Sequence, residues 1–198
     1  MVRLVPTEKT VGHRLFHVVF ICTGNRARSA LAEAFLRARV GDAVVRVESY
    51  GTLELGPAPA MPEAIIAASA LGIDIHAHRA RSLRGVRLDD ADLVIGFEPF
   101  HVATAVVEAG APRKRTFTLH ELAVLLGDVG PADDAGASGS KALVARADAR
   151  RSSQPRSSLS LADPYGKSKR VYAEVARTID ALTATLAARL FGSVGGER

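Results

Sequence analysis

The sequence predicts an α/β domain: a four-stranded parallel sheet flanked by helices on both faces, with a functional loop between the first strand and the first helix. Three observations carry that prediction. His17 to Cys22 is a short, nearly continuous apolar run rich in β-branched residues, as expected of a strand buried on both faces. Short apolar runs then alternate with segments of helical spacing, which implies right-handed crossovers and a parallel sheet. A long amphipathic segment near the C-terminus supplies a final covering helix.

After the first run, Thr23 to Arg28 breaks the pattern with Gly24 and Asn25, and Ala30 to Leu36 follows with strong helix formers at apolar helical spacing. Val44 to Tyr50 reads as the second strand. Pro62 to Leu71 reads as a helix, with proline in its first turn and Gly72 past its end. Asp92 to Gly96 is the third strand, followed by a helix from Phe100 to Ala109 that stops at Gly110. Arg115 to Thr118 is a short fourth strand, and Leu119 to Leu126 is helix-like. Val171, Val175, Ile179, Leu182 and Leu186 mark the last helix within Val171 to Leu190. From Gly127 to Ala162 the composition shifts to Gly, Ala, Ser, Asp and Arg with little periodicity, which is expected of a long polar loop. The organisation expected is a flexible tail over 1–14, one domain over 15–191 with that loop at 127–162, and a C-terminal tail over 192–198.

At 198 residues, with 47% hydrophobic and 24% charged, the chain has the size and balance of one ordinary globular domain. The longest early apolar run is too short to cross a bilayer, and residues 1–14 lack the apolar centre of a secretory signal, so a cytoplasmic location and no membrane insertion are expected. The formal net charge of +5 favours anionic partners. No aromatic-interleaved basic stripe, zinc spacing or recognition-helix pattern accompanies it, so nucleic acid is not expected, and phosphate is the anion favoured. Cys22 is the single cysteine, which excludes an internal disulfide and a cysteine-built metal site and leaves burial or chemistry as its role.

Cys22, Thr23, Gly24, Asn25, Arg26, Ala27, Arg28 and Ser29 lie between a strand and a helix at the carboxyl end of the sheet, where open α/β folds bind ligands. Five residues between Cys22 and Arg28 suffice to curl the backbone so that its N–H groups converge on a tetrahedral anion. The helix N-terminus adds positive potential, which also favours a thiolate at Cys22 as the nucleophile. Arg28 offers a planar fork for two phosphoryl oxygens. Ser29 can donate its hydroxyl to the sulfur, Gly24 gives freedom for the curl, and Asn25 braces the loop through a left-handed conformation or side-chain hydrogen bonds. The plain alternative is a buried strand-end cysteine followed by a chance arginine and a capping serine, against which residue types, spacing and flanking elements all agree.

A thiolate that displaces an alkoxide or phenoxide needs a group that protonates the leaving oxygen and afterwards activates water. Asp163 precedes Pro164 and Tyr165 at the end of the polar stretch, where proline stiffens the turn, although Asp-Pro is also a common way to start a helix.

With these residues placed, the chain resembles the low-molecular-weight protein tyrosine phosphatases. It shares their Cys-x5-Arg-Ser loop at 22–29 and their Asp-Pro pair at 163–164. Lesser matches are Ala32-Glu33-Ala34, Ser49-Tyr50-Gly51-Thr52 where the family often has Ser-Ala-Gly-Thr, and Gly72-Ile73-Asp74 with Arg79-Ala80-Arg81. The resemblance implies a cysteine-dependent hydrolase of aryl phosphate monoesters that needs no cofactor. In that reading Cys22 forms a phosphocysteine, Arg28 clamps phosphate, Ser29 supports the thiolate, Asn25 braces the loop and Asp163 acts as acid and then base. Tyr165 is the aromatic expected beside the acid, and Tyr50 and Phe97 are further candidates for the pocket wall. The implied partners are a phosphotyrosine-bearing protein, such as a bacterial tyrosine kinase, and inorganic phosphate or another oxyanion in the loop.

The chain departs from the family pattern at Ala27, where many members carry a second cysteine, and at Ala30, where proline is frequent. It departs again at Phe97-Glu98, which replaces a common Met-Asp and is not expected to supply chemistry, and in the length of the 127–162 stretch. An arsenate reductase of the same fold using an external thiol, and a non-catalytic phosphate-binding module, are the competing readings. His76, His78 and His101 lack carboxylate or cysteine partners at metal-ligand spacing, so they are expected to be surface or core groups and no metal is predicted. The Arg79, Arg81, Arg84 and Arg87 series is expected to be a solvated edge, and Asp89, Asp90 and Asp92 the polar start of a strand.

Overall fold

Seven consecutive residues of β1 (Phe16–Cys22) are buried, because this strand lies in the interior of the sheet with neighbours on both sides. The computed structural model describes residues 14–41, 45–129, 136–151 and 160–192. The chain continues through α1 (Arg28–Val40), β2 (Val45–Gly51), α2 (Pro62–Ser69), β3 (Leu93–Gly96) and α3 (Pro99–Ala109). It then forms β4 (Thr116–Thr118), α4 (Leu119–Gly127), α5 (Ala137–Ala149) and α6 (Lys169–Phe191). The four strands run parallel in the order β2-β1-β3-β4, the predicted class. The first crossover leaves β1 toward β2 and the next connection returns past β1 to β3, so strand order reverses at the carboxyl end of β1, where an open parallel sheet has its crevice.

The two faces of β1 feed two cores. Phe16, Val18 and Phe20 join Leu31, Phe35, Ile179 and Leu186 beneath α1 and α6, whereas Val19 and Ile21 meet Val94, Leu88 and Ala105 on the α3 side. The edge strand β2 alternates instead, with Val45, Val47 and Ser49 buried and Arg46 exposed. The helix ends obey local chemistry. Pro62 and Pro99 occupy first turns, and α3 stops on Gly110 in the left-handed conformation at φ 70. Helix α4 starts with a reciprocal cap in which Thr118 Oγ1 accepts from the Glu121 N–H at 3.2 Å and Glu121 accepts from the Thr118 N–H at 3.3 Å.

One expectation needs correction. Within the stretch 127–162, expected as polar loop, residues 137–149 form α5, which buries Leu143, Val144 and Ala147 and fixes Ser140 Oγ to the Leu190 carbonyl at 2.6 Å. Its apolar stripe is one narrow face of an alanine-rich helix, too sparse to stand out from the Gly, Ala and Ser around it. The remainder of that stretch at 130–135 and 152–159, and the tails at 1–13 and 193–198, lie outside the described residues.

Candidate active site

The loop from Cys22 to Ser29 wraps around the Cys22 sulfur. Sγ lies 3.0 Å from Ser29 Oγ and accepts the Asn25 backbone N–H at 3.2 Å. Asn25 is the residue that makes the curl: among the described residues it alone combines a side chain with positive φ, at 50. Its buried side chain then directs the protons around it. Nδ2 donates to Ser29 Oγ at 2.8 Å and to Ser49 Oγ at 2.7 Å, while Oδ1 accepts the Arg81 N–H at 2.8 Å. Ser29 therefore receives from Asn25 and is free to donate to sulfur, the orientation that steadies a thiolate. The Ser49 hydroxyl donates to the Glu33 carboxylate, which also accepts from Arg81 Nη2 at 2.8 Å and pairs with Arg37 at 2.9 Å.

Backbone contacts hold the loop against its neighbours. Thr52 N–H donates to the Cys22 carbonyl and Leu53 N–H to the Thr23 carbonyl, each at 2.9 Å, and Met61 N–H reaches the Arg26 carbonyl at 2.8 Å. Gly51 permits this approach, since a Cβ there would stand 2.9 Å from the Thr23 carbonyl oxygen.

Arg28 opens α1 and is 1% exposed. One edge of its guanidinium meets Glu98 and the Leu161 carbonyl, the latter at 2.9 Å. The other donates to Asp163 Oδ2 at 2.6 Å and to Thr23 Oγ1 at 3.3 Å, and the ring of Phe97 lies 5.8 Å from Cζ. Asp163 is fixed in turn by the Tyr165 N–H on Oδ1 at 3.1 Å, the Asp-Pro turn closing on itself.

These groups share a cavity of about 310 Å³. Its floor comes from the predicted loop (Cys22, Thr23, Gly24, Arg26, Ala27 and Arg28), and Asp163 and Tyr165 stand on its rim. Asn25 and Ser29 lie behind the loop as braces, not in the cavity wall. Tyr50 does not line it, which corrects the expectation. Strand alternation turns Ser49 toward the loop and Tyr50 away, where its ring packs 5.1 Å from the Arg81 guanidinium. Phe97 is likewise core beneath Arg28, 1% exposed.

Sequence reasoning missed the remaining wall residues, Leu53, Leu55, Met61 and Tyr172, which lie far from the loop in sequence. It also missed Glu98, which holds Arg28, and two histidines set aside as isolated. His78 Nε2 meets the Asn25 carbonyl at 2.7 Å, and His101 Nε2 meets Thr23 Oγ1 at 3.1 Å. Burial lowers the pKa of both. For His101, burial together with the nearby charge of Arg28 brings it down to about 4, against the opposing pull of Glu98 and Asp163. The usable signal for Glu98 and His101 was position: both follow β3 at the carboxyl end of the sheet. Nor is the arginine series only a solvated edge, since Arg81 pairs with Glu33 and bonds Asn25, while Arg84 and Arg87 stay exposed beside Glu54 and Asp89. Asp92 is a buried hub 1% exposed, met by the His17 N–H at 3.0 Å and by Arg14 at 3.1 Å.

Among the described residues no group of histidines, cysteines and carboxylates is arranged to hold a metal ion, and no helix is long and apolar enough to cross a membrane. A family model described as low molecular weight phosphotyrosine protein phosphatase matches residues 17–125. The low molecular weight protein-tyrosine-phosphatase of Streptomyces coelicolor is 34% identical over 125 residues, which is 58% of this chain and 74% of that one. A protein-arginine-phosphatase of Bacillus subtilis is 31% identical over 106 residues, covering 52% of this chain and 70% of that protein. Among solved structures, the low molecular weight protein tyrosine phosphatase from T. tengcongensis superposes with a TM-score of 0.64 at 27% identity, covering 88% of this chain and 99% of that one.

Proposed function

Because the chain belongs to the low molecular weight phosphotyrosine protein phosphatase family, we propose that it hydrolyses aryl phosphate monoesters, phosphotyrosine in proteins above all, through a phosphocysteine on Cys22. The observation that carries this is one cavity holding three groups: a sulfur that takes hydrogen bonds from Asn25 and Ser29, the Arg28 fork, and the Asp163 carboxyl.

Arg28 and the loop N–H groups orient the phosphoryl group and match the charge that develops on its oxygens. The entering oxygens compete with Asp163 for the Nη2 edge of Arg28, which frees the carboxyl to face the ester oxygen. The Cys22 thiolate attacks phosphorus, the P–O bond to the leaving group breaks, and protonated Asp163 gives its proton to the departing phenoxide. Asp163, now a carboxylate, takes a proton from water as that water attacks the phosphocysteine. The P–S bond breaks, inorganic phosphate leaves and the thiolate is restored.

The choice of an aryl ester over a phosphorylated arginine is supported by the walls. Leu53, Leu55, Met61 and Tyr165 suit a flat apolar ring, and Arg26 adds a cation at the cavity that repels a guanidinium leaving group. We extend the reading to a cytoplasmic protein acting on a phosphotyrosine-bearing partner, with a bacterial tyrosine kinase as the partner that the family resemblance suggests. The test is turnover of phosphotyrosine, phosphoserine and phosphoarginine peptides by the purified chain in excess chelator. The phosphotyrosine peptide is expected to be cleaved fastest, Cys22→Ser to be inactive, and Asp163→Asn to turn over slowly while still binding phosphate. Undiminished turnover by Cys22→Ser sinks the mechanism, and faster cleavage of phosphoarginine sinks the substrate assignment.

A further inference from the structure

Under the loop lies a histidine to which the reaction above gives no task. His101 sits in the first turn of α3, 1% exposed and close against β3, where a Cβ on Gly96 would fall 2.8 Å from its own. Its ring nitrogens have different partners. Nδ1 lies 3.1 Å from the Glu98 backbone N–H and 3.4 Å from that of Phe97, and since both are donors it is the acceptor nitrogen. In the neutral ring Nε2 then carries the proton, and it donates to Thr23 Oγ1 at 3.1 Å.

A threonine hydroxyl has one proton and two lone pairs. Arg28 Nη2 donates into this one at 3.3 Å and His101 Nε2 does so at 3.1 Å, which engages both lone pairs and leaves the proton for a third group. Thr23 lines the cavity with Cys22 and Arg28. We infer that the Thr23 hydroxyl is a dedicated donor to an oxygen of the tetrahedral oxyanion in the cavity, and that His101 is the positioning residue that sets its direction. The inference rests on the reading of the loop as a phosphate site, but it does not require turnover. A free hydroxyl would rotate between donating and accepting. Two fixed donors remove that choice before the anion arrives, so its capture requires no reorientation of the hydroxyl.

The test is calorimetric titration of inorganic phosphate into the full chain at pH 7, comparing wild type with Thr23→Val, Thr23→Ser, His101→Asn and the double variant Thr23→Val/His101→Asn. Asparagine keeps an acceptor for the start of α3 but does not reach Thr23. Thr23→Val is expected to weaken phosphate binding roughly tenfold to a hundredfold, as for loss of one hydrogen bond to a charged group. Thr23→Ser, which keeps the hydroxyl, restores most of that loss. His101→Asn weakens binding in the wild-type chain and adds less than about twofold on top of Thr23→Val, because both changes act through one hydroxyl. Phosphate bound equally well by Thr23→Val overturns the inference, and so does a His101→Asn effect of the same size on both backgrounds. If His101→Asn does not fold, the comparison of valine with serine at position 23 still decides. A chain that shows this binding pattern but cleaves no phosphate ester supports the inference and refutes the proposed function. Ester turnover with undiminished phosphate binding by Thr23→Val does the reverse.

Discussion

Acid should weaken this fold through His101, and the size of the effect follows from its burial. The ring titrates at about 4 in the folded chain, against roughly 6.5 for a histidine in an unfolded one. Between those values only the unfolded chain takes up the proton, so stability is full above pH 6.5 and is lost as pH falls toward 4. A gap of about 2.5 units at ~1.36 kcal/mol per unit gives a total of roughly 3 kcal/mol, of which about 2 kcal/mol falls between pH 7 and pH 5. The charges facing the ring are Arg28, which resists protonation, and Glu98 and Asp163, which favour it. Urea denaturation at pH 7 and pH 5 of wild type and His101→Asn isolates the effect, because His78 and the other titrating groups are common to both chains. The wild type should lose about 2 kcal/mol more than the variant, a difference of roughly 1 M in relative midpoint shift. The same loss in both chains would refute the assignment of a neutral, buried His101.

Three other perturbations separate the parts of the site and the fold. Glu98→Gln keeps a hydrogen-bond acceptor but removes the charge against Arg28; because the Glu98 side chain is 37% exposed and partly screened, kcat/KM for an aryl phosphate should fall only about tenfold, and an unchanged value would show that Arg28 needs no such support. Asn25→Ala severs the bonds to Ser29, Ser49 and Arg81 and leaves alanine at φ 50, so thermal or urea unfolding should show a loss of about 2–4 kcal/mol, with turnover falling as well. Leu143→Ala should cost about 2–5 kcal/mol in the same measurement because α5 packs Leu143 into the core at 2% exposure; a neutral result would mean that α5 is not part of the cooperative unit.

The order of strands and helices was legible because each element carries its own periodicity. Strand β1 reads as a strand from His17 to Cys22 alone, and α3 is bracketed by Pro99 and Gly110. Helix α5 was not legible, since Leu143, Val144 and Ala147 gain meaning only once α4 and α6 are in place to receive them. Tyr50 was misplaced for the opposite reason: its neighbour Ser49 matched a site pattern, and a strand's alternation sends adjacent residues to opposite faces.

In the candidate site the division is sharper. The chemistry-bearing atoms of Cys22, Arg28 and Ser29 are contiguous because one strand-to-helix turn must deliver nucleophile, clamp and helix N-terminus to one point. Their supports cannot be contiguous. Cys22 ends an interior strand, so the loop is flanked by whatever follows β2 on one side and β3 on the other. From the β2 side come Ser49, Gly51 and Leu53, and through Ser49 the buried carboxylate of Glu33. From the β3 side come Phe97, Glu98 and His101. Asp163 arrives at the same Arg28 from far along the chain, on the approach to α6. Glu33, Ser49, Gly51 and Asp163 stand in family-like patterns, whereas Leu53 and His101 have a local sequence context that singles out no role; the strand order at β1, which sets the ends of β2 and β3 beside the loop, is what brings those two to it. The residues at the carboxyl ends of β2 and β3 are therefore where supporting groups should be sought first in any chain of this topology, ahead of those nearest the cysteine in sequence.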